Sequence, residues 1–259
     1  MNFIKIDSKE NQKIKFLKKL NDKKYREKYQ KFFVESDKII FDALEVDNLF
    51  DEIYLTDIFL KKNENLIDQI VKKIGLENIY LISESLNKDF SNLSAPSGIA
   101  AIYTIKLKKI NQDNSILYLN NINDPGNLGS IIRTSVAFGV NNIVLDEQCA
   151  DIFNFKTISA ARDSIFKVNI EFDKEINFLK KIKSEIEIIA TDLDGNTNLK
   201  KFTAKNNFCL VVGNEANGVS AEILKIADNR IKIEMSAAIE SLNVVSATSI
   251  ILYKLFTKL

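Results

Sequence analysis

A chain of 259 residues, 46% hydrophobic and 27% charged, has the composition of a globular protein and enough length for two cores. The absence of histidine removes Ser-His-Asp and Cys-His nucleophile pairs, histidine general bases and most zinc hydrolases together. Net charge is only +1, yet residues 1–40 hold twelve Lys/Arg against six Asp/Glu, so the start of the chain is basic and the remainder acidic.

Taken in order, Ser8 is a candidate cap for a helix running to about Leu20, and Asn21-Asp22 breaks it. The stretch "KIKFLKKLNDKKYREKYQK" (Lys13 to Lys31) interleaves nine basic residues with Phe16, Tyr25 and Tyr29. That composition suits phosphate contacts and base stacking, and equally a solvated amphipathic helix. "KFFVES" reads as a strand before a helix from Asp37 to Leu44; "DEIYLT", "ENIYLIS" and "IAAIYTIKL" are further strands. "NENLIDQIVKKIG" is an amphipathic helix closed by Gly75, and "SNLSAPSG" is a loop. A small α/β domain over residues 1–106 is expected, joined through a polar linker, 107–114, to a second domain over 115–259.

The second domain repeats strand and helix: "SILYLN", "NNIVLD", "FKVNI", "EIEIIAT", "FCLVVG" and "RIKIEM" are the strands. Their apolar continuity implies a mostly parallel, buried sheet. Cys149 and Cys209 are far apart, without metal-type spacing, and read as small core residues; no metal is expected. No apolar run reaches membrane-span length, and "MNFIKIDSKENQKIK" lacks the apolar core of a signal peptide. A cytoplasmic protein with no membrane partner is expected.

Ligands collect at the carboxyl ends of parallel strands, which directs attention to the loops after "ILYLN", "CLVVG" and "IKIEM". The first, "NINDPGNLGSIIRTSVAFG", carries Asn127 and Arg133. The second, "GNEANGVS", has P-loop glycine spacing, but Val219 stands where the phosphate-binding lysine belongs, which argues strongly against nucleotide triphosphate hydrolysis. Its Glu215 and Ser220 are candidate acceptors or helix caps. The third, "MSAAIESLNVVSA", sets Glu240, Ser241 and Asn243 before an apolar helix; a buried Glu240 would require a cation, for which Arg133 is the candidate.

Together the three loops resemble, in order and spacing, the three motifs of the SpoU (TrmH-type) RNA ribose 2′-O-methyltransferases of the SPOUT superfamily. Asn127, Gly129 and Arg133 match the first; Gly213, Glu215, Gly218 and Ser220 the second; Met235, Glu240, Ser241, Leu242, Asn243 and Val244 the third. Glu234 stands where that family usually has proline. "KKYREKYQKFFVES" and "SAPSGIAAI" resemble the L30e-like RNA-binding domain that precedes it in many members.

The resemblance implies a SPOUT-type α/β fold with a C-terminal deep trefoil knot, a homodimer, and S-adenosylmethionine as methyl donor. It implies Arg133, Asn127, Glu215 and Ser241 as catalytic residues. Val212, Gly213, Asn214, Gly218, Ile233, Met235, Ser241, Leu242 and Asn243 are implied for the cofactor, and Lys15, Lys18, Lys19, Lys23, Lys24 and Arg26 for RNA. Arg133 is open to two roles, a base that loses its proton or a cation that stabilises the alkoxide. Ribosomal RNA, 23S in particular, is the expected substrate; transfer RNA, or a non-catalytic RNA-binding or ribosome-binding role, is the alternative.

Overall fold

A computed structural model describes residues 3–45, 50–205, 207–214, 216–236 and 238–256. The chain divides into two compact units, Met1–Lys106 with Phe153–Ser159, and Leu107–Ile152 with Ala160–Leu259. None of the helices among the described residues is long and apolar enough to cross a membrane.

The first unit runs β1 (Ile4–Ile6), α1 (Gln12–Leu20), α2 (Lys23–Tyr29), β2 (Lys31–Val34), α3 (Asp37–Glu45), β3 (Glu52–Thr56), α4 (Asp57–Lys62), α5 (Glu64–Ile74), β4 (Ile79–Ile82), α6 (Glu84–Phe90) and β5 (Ile99–Thr104). Its sheet has the order β1-β4-β3-β5-β2, with β5 antiparallel to both its neighbours. Helix α1 buries Ile14, Leu17 and Leu20, one apolar stripe at helical spacing. Asn11, not Ser8, caps it, accepting from Lys13 N at 2.9 Å; Ser8 Oγ accepts from Glu10 N in the preceding turn. Asp22 both follows α1 and caps α2. The short helices α4 and α6 were not expected; Thr56 and Ser83 cap them by accepting from Phe59 N and Leu86 N.

Between β2 and α3 sits Glu35, 8% exposed. Its Oε2 accepts from Asn92 N at 3.0 Å, while Oε1 is buried without a hydrogen-bond partner. Burial pushes this carboxyl above the ordinary range, against the opposing pull of donors on Ser91 and Asn92. The folded state therefore binds this proton more tightly than the unfolded chain does. The cost of the charge is fully felt above the folded pKa and fades as pH falls below it. Glu35→Gln, which keeps an oxygen for Asn92 N, should raise the melting temperature at neutral pH by a few degrees, roughly 1 kcal/mol. The gain should shrink toward acid pH in a calorimetric series; a loss of stability at neutral pH would contradict it.

The second unit runs β6 (Ile116–Asn120), α7 (Pro125–Ala137), β7 (Asn142–Asp146) and, after α8 (Phe155–Ala161), most of which belongs to the first unit, β8 (Asn169–Asp173), α9 (Asn177–Ile182), β9 (Glu187–Thr191), β10 (Thr197–Asn198), β11 (Phe208–Gly213), α10 (Ala221–Ile226), β12 (Asn229–Lys232) and α11 (Val244–Phe256). All its strands pair in parallel, in the order β10-β12-β9-β11-β6-β7-β8. Every residue of β6 and β11 is buried, as central parallel strands require. The strand expected over "FKVNI" begins later, at Asn169, because Arg162–Phe166 winds into a 3₁₀ turn braced by an Asp163–Lys167 ion pair. Asn169 Nδ2 then meets Asn142 Oδ1 at 2.9 Å, which fixes where pairing with β7 starts. This arrangement brings the carboxyl ends of β12, β9, β11 and β6 side by side.

Candidate active site and cofactor cavity

A cavity of about 400 Å³ opens at those carboxyl ends. Val212, Gly213, Asn214 and Gly218 form one wall, Ile233, Met235, Ser241 and Leu242 another, and Val244, Thr248 and Ile251 on the buried face of α11 close it. The two loops expected to hold the cofactor thus meet around one space.

The turn after β11 depends on its glycines. A Cβ on Gly213 would lie 2.2 Å from the Gly218 carbonyl carbon and 2.3 Å from Val219 N, so only hydrogen fits there. Gly218 takes φ +65°, and its N–H donates to Asn214 O at 2.8 Å. Asn214 Oδ1 accepts from Ala216 N at 2.8 Å, and its Nδ2 reaches back to Asn121 O at 3.0 Å. Glu215 lies outside the described residues. Ser220 precedes α10 but makes no side-chain cap, contrary to its expected role as a helix cap; its N–H donates to Asn120 Oδ1 at 2.8 Å.

Asp124 caps α7, accepting from Asn127 N at 2.7 Å, with Pro125 at the first helical position. Asn243 Oδ1 accepts from Val245 N at 2.8 Å at the start of α11, and its Nδ2 donates to Asn127 Oδ1 at 3.3 Å. The first and third loops are therefore joined by two asparagine amides at two helix amino-termini. Asn243 does not border the cavity as expected; its side chain is committed to this junction.

Arg133 and Glu240 do not form the expected pair. Both are exposed, neither borders the cavity, and no ion pair joins them among the described residues. Water solvates Glu240, so the reason for a buried cation beside it disappears. Glu234 turns away from the cavity and pairs with Lys200 at 3.5 Å. Thr191, the last residue of β9, and Asp192, Leu193 and Asp194, which follow it, also border the cavity and were missed. The rule that pointed to the other three loops applies to this one as well. Asp192 is fixed there by Arg230 Nε at 2.6 Å.

In the first unit, Arg26 is 5% exposed and donates from Nη1 to Leu20 O at 2.6 Å; it closes the end of α1 and has no surface to offer RNA. Lys15, Lys18, Lys23 and Lys24 face Glu10, Asp89, Glu27 and Asp22 respectively. Lys19 lies over the Tyr25 ring and Lys28 over Tyr29, with Tyr25, Tyr29 and Phe16 packed in one aromatic run. Lys28 was not among the expected contacts.

The site-bearing part of the chain is thus a parallel α/β domain with a cavity formed at its strand ends by glycine-turn and helix-start loops. The chain belongs to the SpoU rRNA Methylase family, which matches residues 114–253; residues 11–101 match the MRM3-like substrate binding domain. It is 32% identical, over 96% of its length and 98% of the relative's, to the 23S rRNA (guanosine(2553)-2′-O)-methyltransferase of Bacillus subtilis. Similarity to an uncharacterised tRNA/rRNA methyltransferase of Synechocystis sp. is 26% identity over 96% and 92% of the two chains. The same fold occurs in the AdoMet-bound rRNA methyltransferase of Sinorhizobium meliloti, with TM-score 0.85, 24% identity and 96% of each chain covered.

Proposed function

We propose that the protein transfers a methyl group from S-adenosylmethionine to a ribose 2′-hydroxyl of 23S ribosomal RNA. The observation that carries this reading is the cavity, whose two walls contain eight of the nine residues expected for the cofactor and which adjoins the loop bearing Asn127. Its volume lies in the range of about 300–1,000 Å³ usual for small-molecule sites. Apolar Ile231, Ile233, Leu242 and Val244 suit a flat purine, and the close turn at Gly213 leaves backbone groups free to meet its edge. When bound, S-adenosylmethionine supplies an electrophilic methyl on a sulfonium.

The chain's own residues have two tasks. Asn214, Ser241 and the main chain of 212–214 and 231–233 orient the donor. Asn127 and Arg133 hold the acceptor, Arg133 through the planar fork of its guanidinium, which is exposed on α7. It offers N–H donors to the oxygen as charge develops there, and the released proton passes to an RNA phosphate. Lys19 and Lys28, on the tyrosine run of the first unit, supply phosphate contacts. Two copies pair through α11, where Ile250 and Tyr253 are 42% and 50% exposed and Tyr253 packs on Phe138. Light scattering at low concentration checks the dimer; a monomer with full activity would remove it.

The test of function is a map of 2′-O-methyl groups in 23S ribosomal RNA from cells with and without this protein. One position should lose its methyl, and the guanosine for which the Bacillus relative is named is the first to examine. Unchanged ribosomal RNA with a lost transfer RNA methyl would overturn the substrate.

A further inference from the structure

Asn120 is the last residue of β6 and is 7% exposed. Its Nδ2 donates to Asp146 Oδ2 at 2.7 Å, and its Oδ1 accepts from Ser220 N at 2.8 Å. Asn121 follows in the left-handed region, φ +60°, and donates its own N–H to the same Asp146 Oδ2 at 2.8 Å. The Asn121 carbonyl receives Asn214 Nδ2 at 3.0 Å. Three strand ends, those of β6, β7 and β11, are therefore tied by one buried amide and one carboxylate. Neither Asn120 nor Asp146 borders the cavity.

We infer that Asn120 and Asp146 are positioning residues that hold the acceptor loop, 121–127, against the donor loop, 213–220. The inference rests on the function proposed above. A buried amide with both ends committed cannot rotate without losing a partner, and Asp146 Oδ2 accepts two donors at once, from a side chain and from strained backbone. Ser220 N and Asn214 Nδ2 thus reach their places only when Asn120 and Asn121 are in theirs. Methyl transfer requires donor carbon and acceptor oxygen in line, so a shift of one loop against the other costs rate even when both ligands are bound.

Three variants of the full chain test this. Asn120→Asp has the same shape but sets a carboxylate against Asp146. Asp146→Ala removes the acceptor. Asp146→Asn can turn its oxygen to Asn120 and Asn121, giving up Gln148 N, at 3.0 Å on the exposed side, and the interaction with the Cys149 thiol. The affinity for S-adenosylmethionine, measured by calorimetry without RNA well below the melting temperature, should weaken about tenfold in the first two and stay within roughly threefold in the third. Turnover with both substrates saturating should fall at least about tenfold further in the same order. Cofactor affinity within about twofold of wild type for Asn120→Asp would overturn the inference. So would Asp146→Asn as damaged as Asp146→Ala, because charge rather than hydrogen-bond geometry would then be acting. The calorimetric arm stands without an acceptor, so a wild-type protein that binds cofactor and methylates no RNA would sink the proposed function and leave this result readable.

Discussion

Arg133→Ala is expected to lower methyl transfer by about two to three orders of magnitude while leaving melting temperature and cofactor affinity unchanged. Arg133 is exposed on α7, outside the cavity and without an ion pair among the described residues. Nothing in the fold or the donor site depends on its side chain, and alanine suits a helix interior. A loss confined to turnover assigns the interaction to the transition state. Arg133→Lys should recover little, because an ammonium lacks the planar fork that reaches a ribose oxygen and a phosphate together. Single-turnover transfer at saturating donor and RNA measures this. Near-normal transfer by Arg133→Ala removes the residue from the mechanism; a parallel loss of cofactor affinity would make its role structural. RNA carrying deoxyribose at the target must remain unmethylated, since methylation there would place the group on a base.

Gly213→Ala should abolish measurable cofactor binding. The added Cβ would meet main-chain atoms of Gly218 and Val219 at 2.2–2.3 Å, and no rotamer change relieves a backbone clash. Either the 213–218 turn opens or β11 withdraws from the end of β6. The expected cost is about 3 kcal/mol, several degrees in melting temperature. Gly218→Ala is the internal control for the fold: its Cβ has nothing within 4 Å, so only the positive φ is penalised, by about 1 kcal/mol, and the melting temperature should fall less than in Gly213→Ala. Equal cofactor affinity in Gly213→Ala and wild type would mean that the turn does not bound the donor site.

Much of the second unit was legible because its central strands are unbroken apolar runs and its loops carry glycine and asparagine at set intervals. The limits were of three physical kinds. Helices α4 and α6 span barely two turns, too little for a period to emerge. Burial of one member of a basic run cannot be read from composition: Arg26 differs from its lysine neighbours only in facing the end of α1. Contacts between distant loops leave no spacing in the sequence, which is why Asn120 with Asp146, and Asn127 with Asn243, were not foreseen as pairs, and why Arg133 with Glu240 was expected in error. The loop after β9, "TDLDG", has turn composition and matches none of the three motifs, although its strand is an immediate neighbour of β11.

The order of strands in the parallel sheet has a consequence for synthesis. Among the described residues, every one bordering the cavity lies between Thr191 and Ile251, and β11 takes its place beside β6, whose residues were made some ninety positions earlier. The first unit's sheet needs nothing beyond Thr104 for its strands to pair. Chains emerge amino-terminus first, and parallel pairing between distant segments is slow. A growing chain can thus complete its first sheet, together with the lysine-bearing helices α1 and α2, while the donor site does not yet exist. Cofactor can be held only after Ile251 has cleared the exit tunnel and α11 has docked, so a nascent chain near ribosomal RNA is chemically silent until then.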